Sequence, residues 1–496
     1  MKKKYLILLF IFLSGCMKEK EPTKGKTIDI TDKEETRENY YTVTYKATTG
    51  GYILGESTQV VLENTKTSVV KAMAYDGYHF LYWSDGVKNN VRTFNNVNED
   101  INLEAIFLED SLKYPDLFIE TNGVQIKSKV DYVTCTVKVT DYDYPYNDFE
   151  GELGQIRGRG NSTWDKPKKP YKLKFDKKVD LFGFGKAKDW VLLANYVDPG
   201  MIRNYLAYSI CARFDDSPYT THCQYVNLYI DGYYNGLYLV CEQTEVNKER
   251  VNINTSIGGD LSFFIELDER AKDDGLVKDF DYFVFNNKSY VIKSPNPDSE
   301  SYTKEYTLKI KEYINNCFSL LRGDDYSLIE ANLDVGTFAD GYIMSELFSC
   351  IDVYFASWYL YKDKGGKLCN GPIWDYDISA GNCDYNDQSK DSNKLYAITN
   401  LWYRYLLTFD EFRDLVKEKL VKYYEIILNT IVTKIDLVMF HQEEFERNYR
   451  KWKTLGKYVW PNPEELVAMD NFKDHVAFVE EWLFSKLDYM MKTYNR

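Results

Sequence analysis

One stretch, Ile351 to Asn382, constrains this 496-residue chain more than any other. Phe355-Ala-Ser-Trp-Tyr-Leu-Tyr361 is an aromatic, apolar run with strand character. Asp363-Lys-Gly-Gly366 follows as a turn, because paired glycines accept positive φ and Asp caps locally. Lys367 to Trp374 returns as a second strand and delivers Asp375 and Asp377 at its end. Two-residue spacing sets both carboxylates on one side of an extended backbone. With Asp352 just ahead of the first strand, three carboxylates are expected to converge at one end of a hairpin. Hard cations such as Mg²⁺ or Mn²⁺ take such oxygen ligands, usually one or two carboxylates plus phosphate oxygens. Asp-x-Asp also occurs in plain solvated loops. Its weight here comes from its apolar flanks, the Gly381-Asn382 exit and a basic segment upstream.

Hydrophobic residues make up 44% of the chain and charged residues 28%, enough for a sizeable core and two or three domains. The net charge of −14 argues against a general nucleic-acid binder. Only four His are present, with no H-E-x-x-H pattern and no Cys/His cluster, which argues against zinc. The 44 Tyr suit carbohydrate or protein contact, although many occupy half-buried strand positions.

The first residues point outside the cytoplasm. Lys2 to Lys4 form a positive segment, and Tyr5 to Leu13 an apolar run too short to span a bilayer. Leu13-Ser-Gly-Cys16 resembles a bacterial lipobox, which implies cleavage before Cys16 and lipidation of its thiol. The expectation is an extracytoplasmic body tethered to the membrane by lipid, with residues 1–16 as leader and 17–39 as a polar, flexible stalk. Eight further cysteines follow, none in a C-x-x-C pair. Buried free thiols and one or two disulfides both remain open, and spacing does not give a pairing.

Residues 40–108 read as a small all-β module. Tyr41, Val43 and Tyr45 alternate, and Gly50-Gly51, Asp76-Gly77 and Asp85-Gly86 mark turns. Gly77-Tyr-His-Phe-Leu-Tyr-Trp83-Ser-Asp-Gly86 resembles the internalin-type (Listeria–Bacteroides) repeat of bacterial surface proteins, which implies a spacer or adhesive role. A larger α+β domain is expected over 116–496, with strands early and helices late. Helices are expected over Ile202–Phe214, Tyr302–Leu321, Val335–Ile351, Leu395–Tyr405, Phe409–Val432, Asp436–Lys453 and Pro463–Tyr494.

Within that domain, Gly154-Gln-Ile-Arg-Gly-Arg-Gly-Asn-Ser-Thr-Trp164 reads as a glycine-rich segment whose backbone N–H groups can approach an anion. Arg157, Arg159 and the lysines through Lys174 add charge, and Lys172 and Lys174 share a strand face. It matches neither a Walker A motif nor G-x-G-x-x-G.

Ile156-Arg-Gly-Arg-Gly-Asn-Ser-Thr-Trp164, Lys168-Lys-Pro-Tyr-Lys-Leu-Lys174, Asp189-Trp-Val-Leu-Leu-Ala-Asn195, Gly236-Leu-Tyr-Leu239 with Glu242-Gln243, and Gly371-Pro-Ile-Trp-Asp-Tyr-Asp377 together resemble the spore-coat protein H (CotH) kinase family. The likeness runs over a motif core of 116–382, followed by a helical remainder, 383–496. It implies an atypical protein-kinase-like fold, a β-rich N-lobe and a helical C-lobe, that binds ATP with Mg²⁺ or Mn²⁺ and phosphorylates Ser or Thr of secreted or surface proteins. By that resemblance Asp375 and Asp377 bind metal and Asp352 is catalytic. Arg157, Asn161, Lys172 or Lys174 contact phosphates, and Glu242 belongs to an adenine hinge, with a buried structural partnership to Arg250 or a lysine as its alternative. One position departs from ordinary kinases, which place a metal-binding Asn five residues past the catalytic Asp. Here that position is Ser357. A non-catalytic kinase-like scaffold or surface-binding body is therefore the competing function.

Overall fold

A computed structural model describes residues 38–494. The leader, Cys16 and nearly all of the stalk lie outside the described residues. The chain divides into two compact units, one reaching to residue 107 without 77–79 and one formed by 77–79 and 108 onward.

The first unit contains two small sheets. Tyr40–Ala47 pairs antiparallel with Thr58–Leu62 and parallel with Ile101–Glu109, and Gly51–Leu54, Val70–Ala74 and Val91–Arg92 make the other sheet. Alternation puts Val43 and Tyr45 into a core with Trp83 and Phe107. Gly51 is needed there, because a Cβ would come 2.3 Å from the Phe107 ring.

The second unit opens with a closed barrel of seven strands. Their order around the barrel is Phe149–Gly158, Tyr171–Asp180, Lys186–Leu193, Tyr233–Glu242, Cys223–Ile230, Asp116–Glu120 and Val133–Thr140. Alternate residues fill its interior, among them Leu117, Val137, Ile156, Leu173, Trp190, Leu228 and Val240. The outward residues of one wall, including Val191, Tyr225, Leu237 and Leu239, belong to a second, larger core shared with the helices. The segment expected to be a glycine-rich anion loop is divided: Gly154 to Gly158 belong to the barrel strand Phe149–Gly158, and the residues after them leave it. Its glycines permit close packing. A Cβ at Gly154 would meet the Lys174 carbonyl at 2.9 Å, and one at Gly158 the Trp164 ring at 2.3 Å.

A second, antiparallel sheet follows in the order Tyr282–Phe285, Lys288–Ser294, Phe263–Leu267, Trp358–Lys362, Leu368–Asn370. Helices pack around it. Lys304–Leu320 buries Thr307, Ile310, Ile314, Cys317 and Phe318, one face of a 3.6-residue repeat. Val335–Leu347 is buried nearly all round and is capped by Asp334, which accepts from Thr337 N. No helix among the described residues is long and apolar enough to cross a membrane.

Late in the chain the boundaries differ from expectation. Asp410–Phe440 is one helix, not two, and the break falls at His441. Nothing at 433–435 stops a helix: the Thr430 hydroxyl donates to the Ile426 carbonyl at 2.6 Å, and Thr433 bonds back to Asn429 likewise. The segment expected as Pro463–Tyr494 is a short turn of helix, Glu464–Val467, followed by Phe472–Tyr494.

Candidate functional site

The helix Arg203–Cys211 stands where the barrel strand Lys186–Leu193 hands over to the helical body, and it holds the Asp375–Asn382 segment. Arg203 is fully buried. Its Nε and Nη2 donate to the carbonyls of Ser379 and Ala380 at 2.9 and 3.0 Å, and Nη1 meets Asp198 at 2.5 Å. Asn204 accepts from Tyr376 N at 2.7 Å, and Tyr208 OH accepts from Asp375 N at 3.4 Å. Asn382 donates to the Asp377 and Val197 carbonyls. Asp352 lies in the 3₁₀ turn Ile351–Tyr354. Tyr396 OH donates to the Ile351 carbonyl at 3.2 Å and Asn400 to the Val353 carbonyl at 2.7 Å, fixing that turn from behind.

Asp352, Asp375 and Asp377 line one cavity of about 260 Å³ with Arg159, Asn161, Arg270, Lys293, Glu266 and Ser357. Asp375 has φ 67° and Ser357 φ 56°, left-handed backbone that ordinary side chains seldom adopt. Such strain concentrates at functional sites. The Ser357 hydroxyl donates to Asp375 Oδ2 at 3.4 Å. Burial, then the neighbouring Asp375 charge, pushes Asp352 up to about 7. Burial also raises Asp375, against the pull of Arg159 and Arg270. Asp377 is pushed well up by burial, Asp375 and Asp352.

Cations face these acids across the cavity. The Arg159 guanidinium lies 5.6 Å from the Trp374 ring centre. Arg270 Nε bonds Asp268 at 2.8 Å and its guanidinium lies over Phe355. Burial opposes the Arg270 charge, but Asp268, Asp352 and Asp375 outweigh it. With its amide oxygen turned inward, Asn161 accepts from Arg270 Nη1 at 2.9 Å. Lys293 pairs with Glu266 at 2.9 Å, and Tyr359 OH donates to the same carboxylate. An apolar chamber of about 130 Å³ adjoins through Ser357, Tyr359 and Trp374.

The expected residues therefore distribute unevenly. Asp352, Asp375, Asp377 and Asn161 meet in one cavity. Arg157 and Lys172 line a wider adjoining chamber of about 610 Å³. Arg157 is also held over Tyr132 and on the Lys129 and Gly158 carbonyls, and Lys172 pairs with Asp189 at 2.9 Å. Lys174 is exposed. Glu242 is not an open hinge. It is buried and accepts from His222 N, His222 Nδ1 and Tyr219 OH, with Arg250 Nε at 3.7 Å. Its neighbours Gln243 and Thr244 line the cavity instead. The three acids do not form one ligand sphere: among the described residues, no three His, Cys, Asp or Glu side chains are grouped to hold a metal ion by themselves. The physical reason is local. Asp375 is left-handed rather than extended, and the strand ends at Asn370, so two-residue alternation does not reach Asp375 and Asp377. Arg270, Lys293, Glu266 and Asp268 escaped the sequence reading. Their signal is charge set within or directly after the apolar strands Phe263–Leu267 and Lys288–Ser294.

A model of the CotH kinase protein family matches residues 156–490, more than half of the chain. The chain belongs to the CotH kinase protein family. A model of the divergent InlB B-repeat domain matches residues 41–111, the small β unit. No curated protein matches the chain. The CotH kinase match begins at Ile156 in the barrel and ends at Met490 in the last helix, so it contains every residue of the acid-lined cavity.

Proposed function

We propose that this CotH kinase family member is a surface-anchored protein phosphotransferase that moves the γ-phosphate of ATP to Ser or Thr hydroxyls of secreted or surface proteins. The observation that carries it is one cavity in which Asp352, Asp375 and Asp377 face Arg159, Arg270 and Lys293. In this reading the barrel is the counterpart of a kinase N-lobe and the second sheet with its helices the counterpart of the C-lobe. Cys16 supplies the lipid tether.

The donor set suits a hard divalent cation. Asp375 is half-buried and Asp377 buried, the Asp375 charge raises Asp377, and Ser357 adds a neutral oxygen. Too few protein acids gather to cage the ion alone, as expected where phosphate and water complete a Mg²⁺ shell. When bound, such an ion neutralises charge developing on the phosphates. Arg159, Arg270 and Lys293 meet the phosphate oxygens from the opposite side. Asp352, poised near neutrality, orients the acceptor hydroxyl and takes its proton. The apolar chamber beside Trp374 receives the uncharged base.

The test is the full chain in detergent with γ-labelled ATP, Mg²⁺ or Mn²⁺, and casein-like acceptors. Label transfer that Asp375→Ala abolishes is the expected result. Absence of both transfer and an ATP-induced thermal shift rejects the assignment. A thermal shift without transfer favours the non-catalytic scaffold.

A further inference from the structure

Cys223 and Cys241 are Cα partners on the antiparallel strands Cys223–Ile230 and Tyr233–Glu242. The adjacent pair carries a ladder bond, Glu242 N to the His222 carbonyl at 3.4 Å. Antiparallel ladders alternate, so Cys223 and Cys241 occupy a non-hydrogen-bonded position, where opposed Cα atoms are about 4.5 Å apart and side chains lie closest. A disulfide spans Cα separations of about 4.4–6.8 Å. Directly opposed residues project to the same face. Here that face is the barrel wall turned toward the helices: Cys241 is buried in the larger core and Cys223 packs against it. Burial, then the neighbouring Cys223 thiol, pushes the Cys241 thiol up. Among the described residues, the other strand cysteines lack such a match, since Cys135 faces Gly154 and Cys369 faces Tyr361.

We propose that Cys223 and Cys241, both free thiols in this structure, are the site of a cross-strand disulfide formed by exchange with a small disulfide donor. Half-buried Cys223 is the entry point. Its thiolate attacks one donor sulfur, forming a mixed disulfide and expelling the first donor thiol. Cys241 then loses its proton to solvent and attacks the Cys223 sulfur, expelling the second. The protein gives up two electrons and two protons, and the donor disulfide becomes two thiols. Burial of Cys241 makes the second step the slower one. The bond fastens two strands immediately before Gln243 and Thr244, which line the acid cavity. It does not depend on the phosphotransfer assignment.

The experiment exposes the folded full chain to oxidised glutathione, alkylates free thiols after denaturation, and maps digests by mass spectrometry without reduction. The expected product is one peptide pair joined through Cys223 and Cys241, appearing after a transient Cys223–glutathione adduct. The oxidised protein unfolds at a higher temperature than the reduced one, and Cys223→Ser shows no difference between the two treatments. The proposal is overturned if both cysteines remain alkylated, if the Cys223 adduct persists with Cys241 free, or if either cysteine is joined elsewhere.

Discussion

Asp375 shows why a site can be visible in sequence while its geometry is not. A carboxylate behind an apolar strand points to metal or phosphate chemistry. Nothing local announces that its backbone is left-handed at φ 67°, hydrogen-bonded to a serine at φ 56°. Both conformations are imposed by the packing around them, and each costs on the order of 1–3 kcal/mol. Added to this is the crowding of Asp375 by Glu266 and of Asp377 by Asp375. Asn tolerates left-handed backbone and carries no charge. Asp375→Asn is therefore expected to raise the unfolding midpoint by a few degrees, while phosphoryl transfer falls roughly 10²–10³-fold. Calorimetry and a labelled-ATP assay check the two halves separately. A lower midpoint would show that the acids stabilise the fold. Glu242 illustrates the reverse limit. Gln243, just past the strand end at Glu242, lines the cavity while Glu242 bonds His222, and sequence alone does not say which of the two the barrel turns toward the cavity.

Among elements, legibility followed periodicity. The hairpin strands Trp358–Lys362 and Leu368–Asn370 and the helix Lys304–Leu320 carry strong local patterns and were readable. The expected break at 433–435 does not exist: Thr433 is exposed on the helix surface and Ile435 is buried in the core, so the helix runs on through both. Unreadable in principle were contacts between distant segments, above all Arg203, whose partners Ser379 and Ala380 stand far along the chain. Its guanidinium forks to two carbonyls and a carboxylate at once, geometry that an ammonium does not reproduce. Arg203→Lys is expected to cost about 3 kcal/mol, within the range for breaking a buried, hydrogen-bonded charge network. Because the freed segment carries Asp377, Mn²⁺ affinity in the presence of ATP is expected to drop as well. Urea unfolding and Mn²⁺ titration followed by electron paramagnetic resonance measure these outcomes. Unchanged Mn²⁺ affinity in a destabilised variant would mean that Arg203 supports the fold but not the site.

At the scale of the second unit, the chain's late helices close on its early ones behind the cavity. Lys486 of the last helix pairs with Glu346 at 2.5 Å, both fully buried, and Glu346 accepts from Tyr396 N and Ala397 N just ahead of the turn of Leu401–Leu406. His475, also on the last helix, is buried against the Asp198–Arg203 segment. Burial, then the Arg203 charge, pushes it down to about 4 from its ordinary 6.5. The unfolded chain therefore accepts a proton near pH 6.5 that the folded chain refuses until about pH 4. Stability from this residue is complete above pH 6.5 and is lost as pH falls through that window, by about 3 kcal/mol at its lower end. His475→Gln keeps a donor toward the Met469 carbonyl, which His475 Nε2 approaches at 3.2 Å, and cannot titrate. Its unfolding free energy is expected to decline less than that of the native protein between about pH 7 and about pH 4.5. Denaturant titrations at matched pH measure the difference. Parallel curves would mean that His475 accepts a proton in the folded protein as readily as in the unfolded chain, and that the contact between the last helix and the Arg203 segment loosens in acid without it.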